Sequence, residues 1–112
     1  MTALVESLRR THRLVGISNT NQAHFEFVRE RYAIVRGIER WVVSHEVGAR
    51  KPDPKIYREA LAVAEASPEE TLYVDDRLDL IEAGAALGLR TYPFISAERL
   101  KAYLVECGVL PR

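Results

Sequence analysis

Short apolar runs alternate along this chain with longer segments in which apolar residues recur every three or four positions. The short runs predict β-strands, and the longer segments predict α-helices with one buried face. The predicted strands are Leu14–Ile17, Trp41–Ser44, Thr71–Val74 and Arg90–Phe94. The predicted helices are Thr2–Arg10, Gln22–Ala33, Pro52–Ala66, Leu78–Leu87 and Ser96–Cys107. Because strands that alternate with helices form parallel sheets, the pattern predicts an α/β fold.

Local signals mark the start of several of these elements. Pro52 and Pro54 suit the first turn of a helix, where a missing backbone N–H does no harm. Ser67 and Glu70 have the spacing of a capping box around a single turn. Ser96 is of a type that caps helices. With no repeat, low-complexity run or linker between the elements, residues 1–112 are expected to form a single domain.

Three polar clusters each follow a predicted strand. They are Ser18-Asn19-Thr20, Lys51-Pro52-Asp53-Pro54 and Asp75-Asp76. In parallel α/β sheets, ligands bind beyond the carboxyl ends of the strands. The clusters are therefore expected to converge on one site at this edge of the sheet.

The residue types in the clusters suit a phosphate and a metal ion. The Ser18 hydroxyl, together with backbone N–H groups at the start of the next helix, can hold phosphate oxygens. Lys51 can act as a point charge on a phosphoryl anion. Asp75 and Asp76 offer hard oxygen ligands, which suit Mg²⁺.

Each cluster also has a purely structural interpretation. Ser18 and Asn19 could form only a helix N-cap, Lys51 could be a solvated lysine in a turn, and the aspartate pair could cap the helix that follows. His12, His24 and His45 lie far apart in the sequence and lack metal-ligand spacing, so a structural role is expected for His24.

The segments Gly16–Asn21, Ser44–Tyr57 and Leu72–Asp76, in this order and spacing, resemble the motifs of the haloacid dehalogenase superfamily. The likeness is greatest to the sugar-phosphate phosphatases with a helical cap. It implies a three-layer Rossmann-like parallel sheet with helices on both faces, here as an incomplete core domain. It also implies a Mg²⁺-dependent phosphatase reaction on a small phosphorylated metabolite, through an aspartyl-phosphate.

The resemblance assigns roles to the clusters. Ser18 carries the second family motif and, with Asn19, binds phosphate. Lys51 carries the third motif, which binds phosphate and stabilises charge on the nucleophile and phosphoryl group. Asp75 and Asp76 carry the fourth motif, the Mg²⁺ site.

The first family motif, an Asp-x-Asp pair that supplies the nucleophile, is absent, because no aspartate precedes Asp53. The helical cap between the first two motifs is absent as well. This chain alone is therefore expected to be inactive and to bind Mg²⁺ weakly. The alternative function is a non-catalytic, oligomerising phosphate- and metal-binding module, or a gene fragment.

The absent first motif lies in the family on a central strand between the strands that end at Ser18 and Asp75. Without it, two apolar strand edges are expected to be open to pairing. The expected partner is a second copy of the chain or an N-terminal segment supplied in trans.

Composition limits the other classes of binding partner that are expected. The 112 residues contain 16 basic and 16 acidic side chains, so nucleic acid and membrane surfaces are not expected partners. No apolar stretch approaches the ~20 residues of a spanning helix. Cys107 is the single cysteine, which excludes an intrachain disulfide and fits the expected cytoplasmic location.

Overall fold

The computed structural model describes residues 2–19, 38 and 40–111. The strands are β1 Val15–Ser18, β2 Arg40–Val43, β3 Leu72–Asp75 and β4 Arg90–Pro93. The helices are α1 Thr2–Arg9, α2 Ser44–Val47, α3 Pro54–Ala64, α4 Leu78–Ala86 and α5 Ala97–Glu106, with a 3₁₀ turn at Pro68–Glu70. The predicted helix at Gln22–Ala33, which includes His24, lies outside the described residues.

The strands form two parallel pairs. β1 pairs with β2 in a register that places Gly16 opposite Trp41, and β3 pairs with β4 so that Tyr73 lies opposite Thr91. Within the described residues, each strand pairs with one other strand, and β1 is not hydrogen-bonded to β3. The α/β class and the parallel pairing predicted from the sequence are confirmed.

Helices cover both faces of β3. Since successive side chains of a strand point to opposite faces, neighbouring residues of β3 pack into different cores. Tyr73 belongs to one core, with buried residues from β2, α3 and α4: Val42, Ile56, Tyr57, Leu80 and Ile81. Leu72 and Val74 pack on the other core, which contains Leu4 of α1 and residues of the C-terminal helix region: Leu100, Leu104 and Leu110. The predicted three-layer arrangement is therefore present around this strand.

Two strand boundaries differ from the prediction in a way that matters for function. β1 extends to Ser18 and β3 extends to Asp75, whereas the sequence pattern placed both residues just after their strands. The pattern stopped at the last apolar residue, but the backbone ladder continues for one polar residue more. Both side chains are therefore fixed by sheet geometry.

Helix α3 begins later than predicted. It begins at Pro54, because the Asp53 side chain accepts a hydrogen bond from the Lys55 backbone N–H and caps the helix there. Pro52 lies before the helix, in the turn that carries Lys51. The short helix α2, which ends at Gly48 in the left-handed conformation, was not predicted.

Two caps inferred from sequence are present. Glu70 Oε1 accepts hydrogen bonds from both the hydroxyl and the backbone N–H of Ser67, as expected for a capping box. Ser96 Oγ accepts a hydrogen bond from Arg99 N and starts α5. Among the helices of the described ranges, none has the length and apolarity needed to span a bilayer.

Candidate functional site

Lys51 and Asp75 meet at the carboxyl edge of the strands. Lys51 Nζ donates a hydrogen bond to Asp75 Oδ2 over 3.1 Å. The two side chains are only 12% and 10% exposed. The interpretation of Lys51 as a solvated turn lysine is therefore wrong, and the predicted meeting of its cluster with the aspartate pair is observed.

Asn19 joins the end of β1 to the Lys51 turn. Its side-chain amide donates to the Lys51 carbonyl over 3.2 Å, and its side-chain oxygen accepts from the Lys51 N–H over 2.7 Å. The NH₂ group and the oxygen of the Asn19 amide thus both bond to the backbone of Lys51. The polar clusters after β1, β2 and β3 are consequently linked through Asn19, Lys51 and Asp75. Phosphate binding by Asn19 stays a prediction.

Three donors among the described residues bind the Asp75 carboxylate. Oδ2 accepts from the Tyr73 hydroxyl over 2.6 Å as well as from Lys51, and Oδ1 accepts from the Arg77 N–H over 3.1 Å. Burial raises the pKa of Asp75, but the hydrogen bonds from Tyr73, Arg77 and Lys51 outweigh it and lower the pKa to about 2. Asp75 is therefore an anion at neutral pH.

Tyr73 is a site residue that the sequence reading missed. It lies two positions before Asp75 in β3, so both side chains point to the same face of the strand. Burial and the hydrogen bond to Asp75 raise the pKa of Tyr73, so its hydroxyl remains a donor. The sequence did contain a signal for this role: Tyr73 lies two residues before Asp75, the spacing that places two side chains on one face of a strand.

Tyr73 is held in place by its neighbours. The Tyr57 ring meets it edge-on, with ring centroids 5.3 Å apart. Gly84 of α4 faces the other part of the ring, and a Cβ there would lie 2.7 Å from it. The Tyr57 hydroxyl itself donates to the Leu80 carbonyl over 3.2 Å. The hydroxyl that reaches Asp75 is thus carried by a tightly packed ring.

Ser18 and Asp76 are not part of this hydrogen-bonded network. Ser18 ends β1 half-buried, and Asp76 is exposed directly after β3. Within the described residues, no hydrogen bond joins either of them to Lys51 or Asp75. Neither aspartate occupies the N-cap of α4, which is Arg77, although Asp75 accepts a hydrogen bond from the Arg77 backbone N–H just before the helix.

The two aspartates fit a magnesium ion better than an ion that needs a full protein cage. Within the described ranges, there is no group of three or more His, Cys, Asp or Glu side chains suited to a metal. Mg²⁺ is commonly held by one or two carboxylates, with water and phosphate oxygens completing its shell. An ionised Asp75 beside an exposed Asp76 meets this requirement.

A family model for haloacid dehalogenase-like hydrolases matches residues 1–88. The chain belongs to this family. The assignment agrees with the order of the motifs along the chain and with the parallel strands that carry Ser18 and Asp75 at their ends.

Two curated relatives of this chain are named as phosphatases. D-ribitol-5-phosphate phosphatase of Bacteroides thetaiotaomicron is 30% identical over 91 residues, which cover 76% of this chain and 44% of that protein. Glyceraldehyde 3-phosphate phosphatase of Methanopyrus kandleri is 50% identical over 44 residues, which cover 39% of this chain and 19% of that protein.

A third relative has a different name. Drimenol cyclase of Aspergillus calidoustus is 26% identical over 106 residues, which cover 95% of this chain and 20% of that protein. The chain spans less than half the length of each of these three relatives. What this chain itself can bind or catalyse therefore depends on the residues that its own site contains.

Solved structures of a HAD family enzyme from Bacteroides thetaiotaomicron share the fold. Its magnesium complex has a TM-score of 0.78 and 27% identity, covering 91% of this chain and 55% of that chain. Its complex with magnesium and inorganic phosphate has a TM-score of 0.74 and 28% identity, covering 85% of this chain and 51% of that chain. The matched region therefore covers about half the length of that enzyme chain.

Proposed function

We propose that this chain provides the phosphate- and magnesium-binding part of a phosphatase that acts on a small phosphorylated metabolite. The observation that carries the proposal is the Lys51–Asp75 pair, 3.1 Å apart and tied to the end of β1 through Asn19. A cation and an anion held together at the carboxyl ends of parallel strands suit a dianionic phosphate with its counter-ion.

Each residue has a distinct task in this proposal. Lys51 lies beside Asp75 and faces the same edge, where its ammonium group stabilises negative charge on phosphoryl oxygens. Ser18, at the end of β1, donates its hydroxyl to a phosphate oxygen. Asp75 and Asp76 hold Mg²⁺, which when bound supplies charge neutralisation to the phosphoryl group.

The comparisons support the phosphate part of the proposal. Two relatives are named as phosphatases of phosphorylated sugars, and one similar structure contains magnesium together with inorganic phosphate. The family mechanism also needs an aspartate nucleophile, and residues 1–52 contain no aspartate. The 112 residues therefore bind and stabilise charge, while bond cleavage requires a group from elsewhere.

The same absence favours a second function, a non-catalytic module that binds phosphate and metal. Under either function, the strands suggest a partner. A cleft of about 530 Å³ includes Leu14 before β1 together with Leu72 and Val74 of β3. β1 and β3 each have one edge that no strand of the described ranges pairs, and such edges suit an added strand, from a second copy or from an N-terminal segment supplied in trans. A cytoplasmic location stays a prediction.

The direct test is binding of inorganic phosphate in the presence of Mg²⁺, measured by ³¹P NMR line broadening. Lys51→Ala is expected to weaken binding at least about tenfold, since a charge-assisted hydrogen bond contributes about 1.5–3 kcal/mol. Lys55→Ala is the matched control, because Lys55 is exposed on α3 four residues away. Equal phosphate binding in the wild type and Lys51→Ala would contradict the proposal.

A further inference from the structure

We propose that Tyr73 is a positioning residue that restricts Asp75 to one-oxygen coordination and thereby favours Mg²⁺ over Ca²⁺ at this site. The inference rests on the proposed function, because it takes the aspartate pair as the metal ligands. It adds a residue to which the motif resemblance gave no role, and a reason for cation choice.

The lone pairs of the Asp75 carboxylate limit how it can bind a cation. An ionised carboxylate offers about four lone-pair sites, two on each oxygen. Tyr73 Oη, at 2.6 Å, and Lys51 Nζ, at 3.1 Å, both donate to Oδ2 and use its two sites. Arg77 N uses one site on Oδ1. Counting the donors that the described part of the chain supplies, a single lone pair, on Oδ1, is left for a cation.

This count decides how Asp75 can bind a metal ion. Bidentate coordination needs a lone pair from each oxygen, and Oδ2 has none to spare while Tyr73 and Lys51 are in place. Mg²⁺ takes six ligands in a compact octahedron, whereas Ca²⁺ takes six to eight and readily accepts bidentate carboxylates. A one-oxygen Asp75 therefore suits Mg²⁺ and denies Ca²⁺ one of its usual ligands.

The Tyr73 hydroxyl is built into the fold firmly enough for this role. Tyr73 is 7% exposed, and its ring is enclosed by Tyr57 on one side and by Gly84 on the other. Removing the hydroxyl leaves the ring in place and frees one lone pair on Oδ2. The predicted result is an Asp75 that can coordinate through both oxygens.

Tyr57 provides a matched control. It is also a buried tyrosine of the same core, but its hydroxyl donates to the Leu80 carbonyl and makes no hydrogen bond to Asp75. Tyr57→Phe and Tyr73→Phe each remove one buried hydroxyl. The Tyr57 hydroxyl also interacts with the Tyr73 hydroxyl and so reaches Asp75 only indirectly. A general loosening of the core would appear equally in both variants, whereas a change in Asp75 coordination would be larger in Tyr73→Phe.

The experiment measures binding of the metals alone. Mn²⁺ is titrated into the full 112-residue chain and followed by water-proton relaxation, and Mg²⁺ and Ca²⁺ then compete for the site. Tyr73→Phe is expected to shift the ratio of Ca²⁺ to Mg²⁺ affinities toward Ca²⁺ by about tenfold, a typical effect of losing a group that orients a metal ligand. Tyr57→Phe is expected to shift the ratio clearly less, because its hydroxyl contacts the Tyr73 hydroxyl and makes no direct hydrogen bond to Asp75.

The outcomes separate this inference from the function on which it rests. If the wild type binds the ions, Asp75→Asn abolishes that binding and the ratio is the same in Tyr73→Phe, the role of Tyr73 is wrong while the metal site stands. A shift of equal size in Tyr57→Phe would also overturn it. If the wild type binds no ion, or Asp75→Asn binds as well as the wild type, the metal site itself is wrong.

Discussion

The indole ring of Trp41 lies directly over Gly16, its partner in the parallel register of β1 and β2. A Cβ on Gly16 would lie 2.4 Å from the ring, closer than any van der Waals contact allows. The glycine therefore permits the ring to cross the strand that ends at Ser18. This contact lies on the two paired strands that lead to Ser18 and to the Lys51 turn.

Gly16→Ala is predicted to destabilise the fold by about 1–3 kcal/mol, the usual cost of overpacking. Chemical denaturation monitored by circular dichroism measures the change in the free energy of unfolding. The control is the same substitution in a Trp41→Ala background, where most of the cost should disappear. An equal cost in both backgrounds would show that the ring contact is not the cause.

The stability of the chain is predicted to fall in acid as Asp75 is protonated. Its pKa is lowered from 3.8 to about 2 in the folded chain, because the hydrogen bonds from Tyr73, Arg77 and Lys51 outweigh the effect of burial. The stabilisation is therefore fully present above 3.8 and is lost as the pH falls toward 2. It amounts to about 2 kcal/mol.

Denaturation across this pH range checks the acid prediction by comparing the wild type with Asp75→Asn. The wild type should lose more stability than the variant. Asp79→Asn is the control, because Asp79 is exposed and pairs with Arg77 at the surface. Since the pKa of Glu70 is also lowered, by its hydrogen bonds to Ser67, some acid sensitivity should persist in Asp75→Asn. Identical profiles for the wild type and Asp75→Asn would refute the role given to Asp75.

The chain by itself is predicted to lack phosphatase turnover. Lys51, Ser18 and the aspartate pair position and stabilise charge, but the 112 residues contain no aspartate before Asp53 to attack phosphorus. Hydrolysis of an aryl phosphate with Mg²⁺ should stay far below the ~10 s⁻¹ typical of enzymes. Calorimetry should show Mg²⁺ affinity no tighter than millimolar. Rapid turnover that is lost in Ser18→Ala would contradict this prediction.

The chain is also predicted to self-associate at micromolar concentration. β1 and β3 each have one edge that no other described strand pairs, and unsatisfied buried backbone groups cost roughly 1–3 kcal/mol each. Pairing across a two-fold axis would satisfy them. Light scattering should report a dimer or a larger species. A cooperatively melting monomer would show that these edges need no partner.

Much of the fold could be predicted because its signals are local. The Ser67–Glu70 box and the Ser96 cap depend on residues three positions apart, and both are present. The strands could be located from apolar runs, but their last residues could not, because the ladder includes the polar Ser18 and Asp75. Helix α2 was missed because four residues are too few for a periodic pattern.

Only the part of the candidate site that follows from the strand topology could be predicted from the sequence. The approach of Lys51 to Asp75, 24 positions apart in the chain, follows from the shared edge of parallel strands. The Asn19 amide bonds and the Tyr73 hydroxyl do not follow, because they depend on rotamers and on how the rings pack. The structure therefore adds most to the sequence in the side-chain hydrogen bonds of these two residues.

The Asn19 side chain presents Lys51 with one donor and one acceptor, the same pair that a neighbouring peptide unit would present. The Asn19 amide therefore pairs with the Lys51 backbone as a neighbouring strand would, but through a side chain and not through main chain. Aspartate or leucine at this position would keep the size but lose half or all of the pairing. The backbone of the residue whose ammonium group binds Asp75 is thereby held at the end of β1.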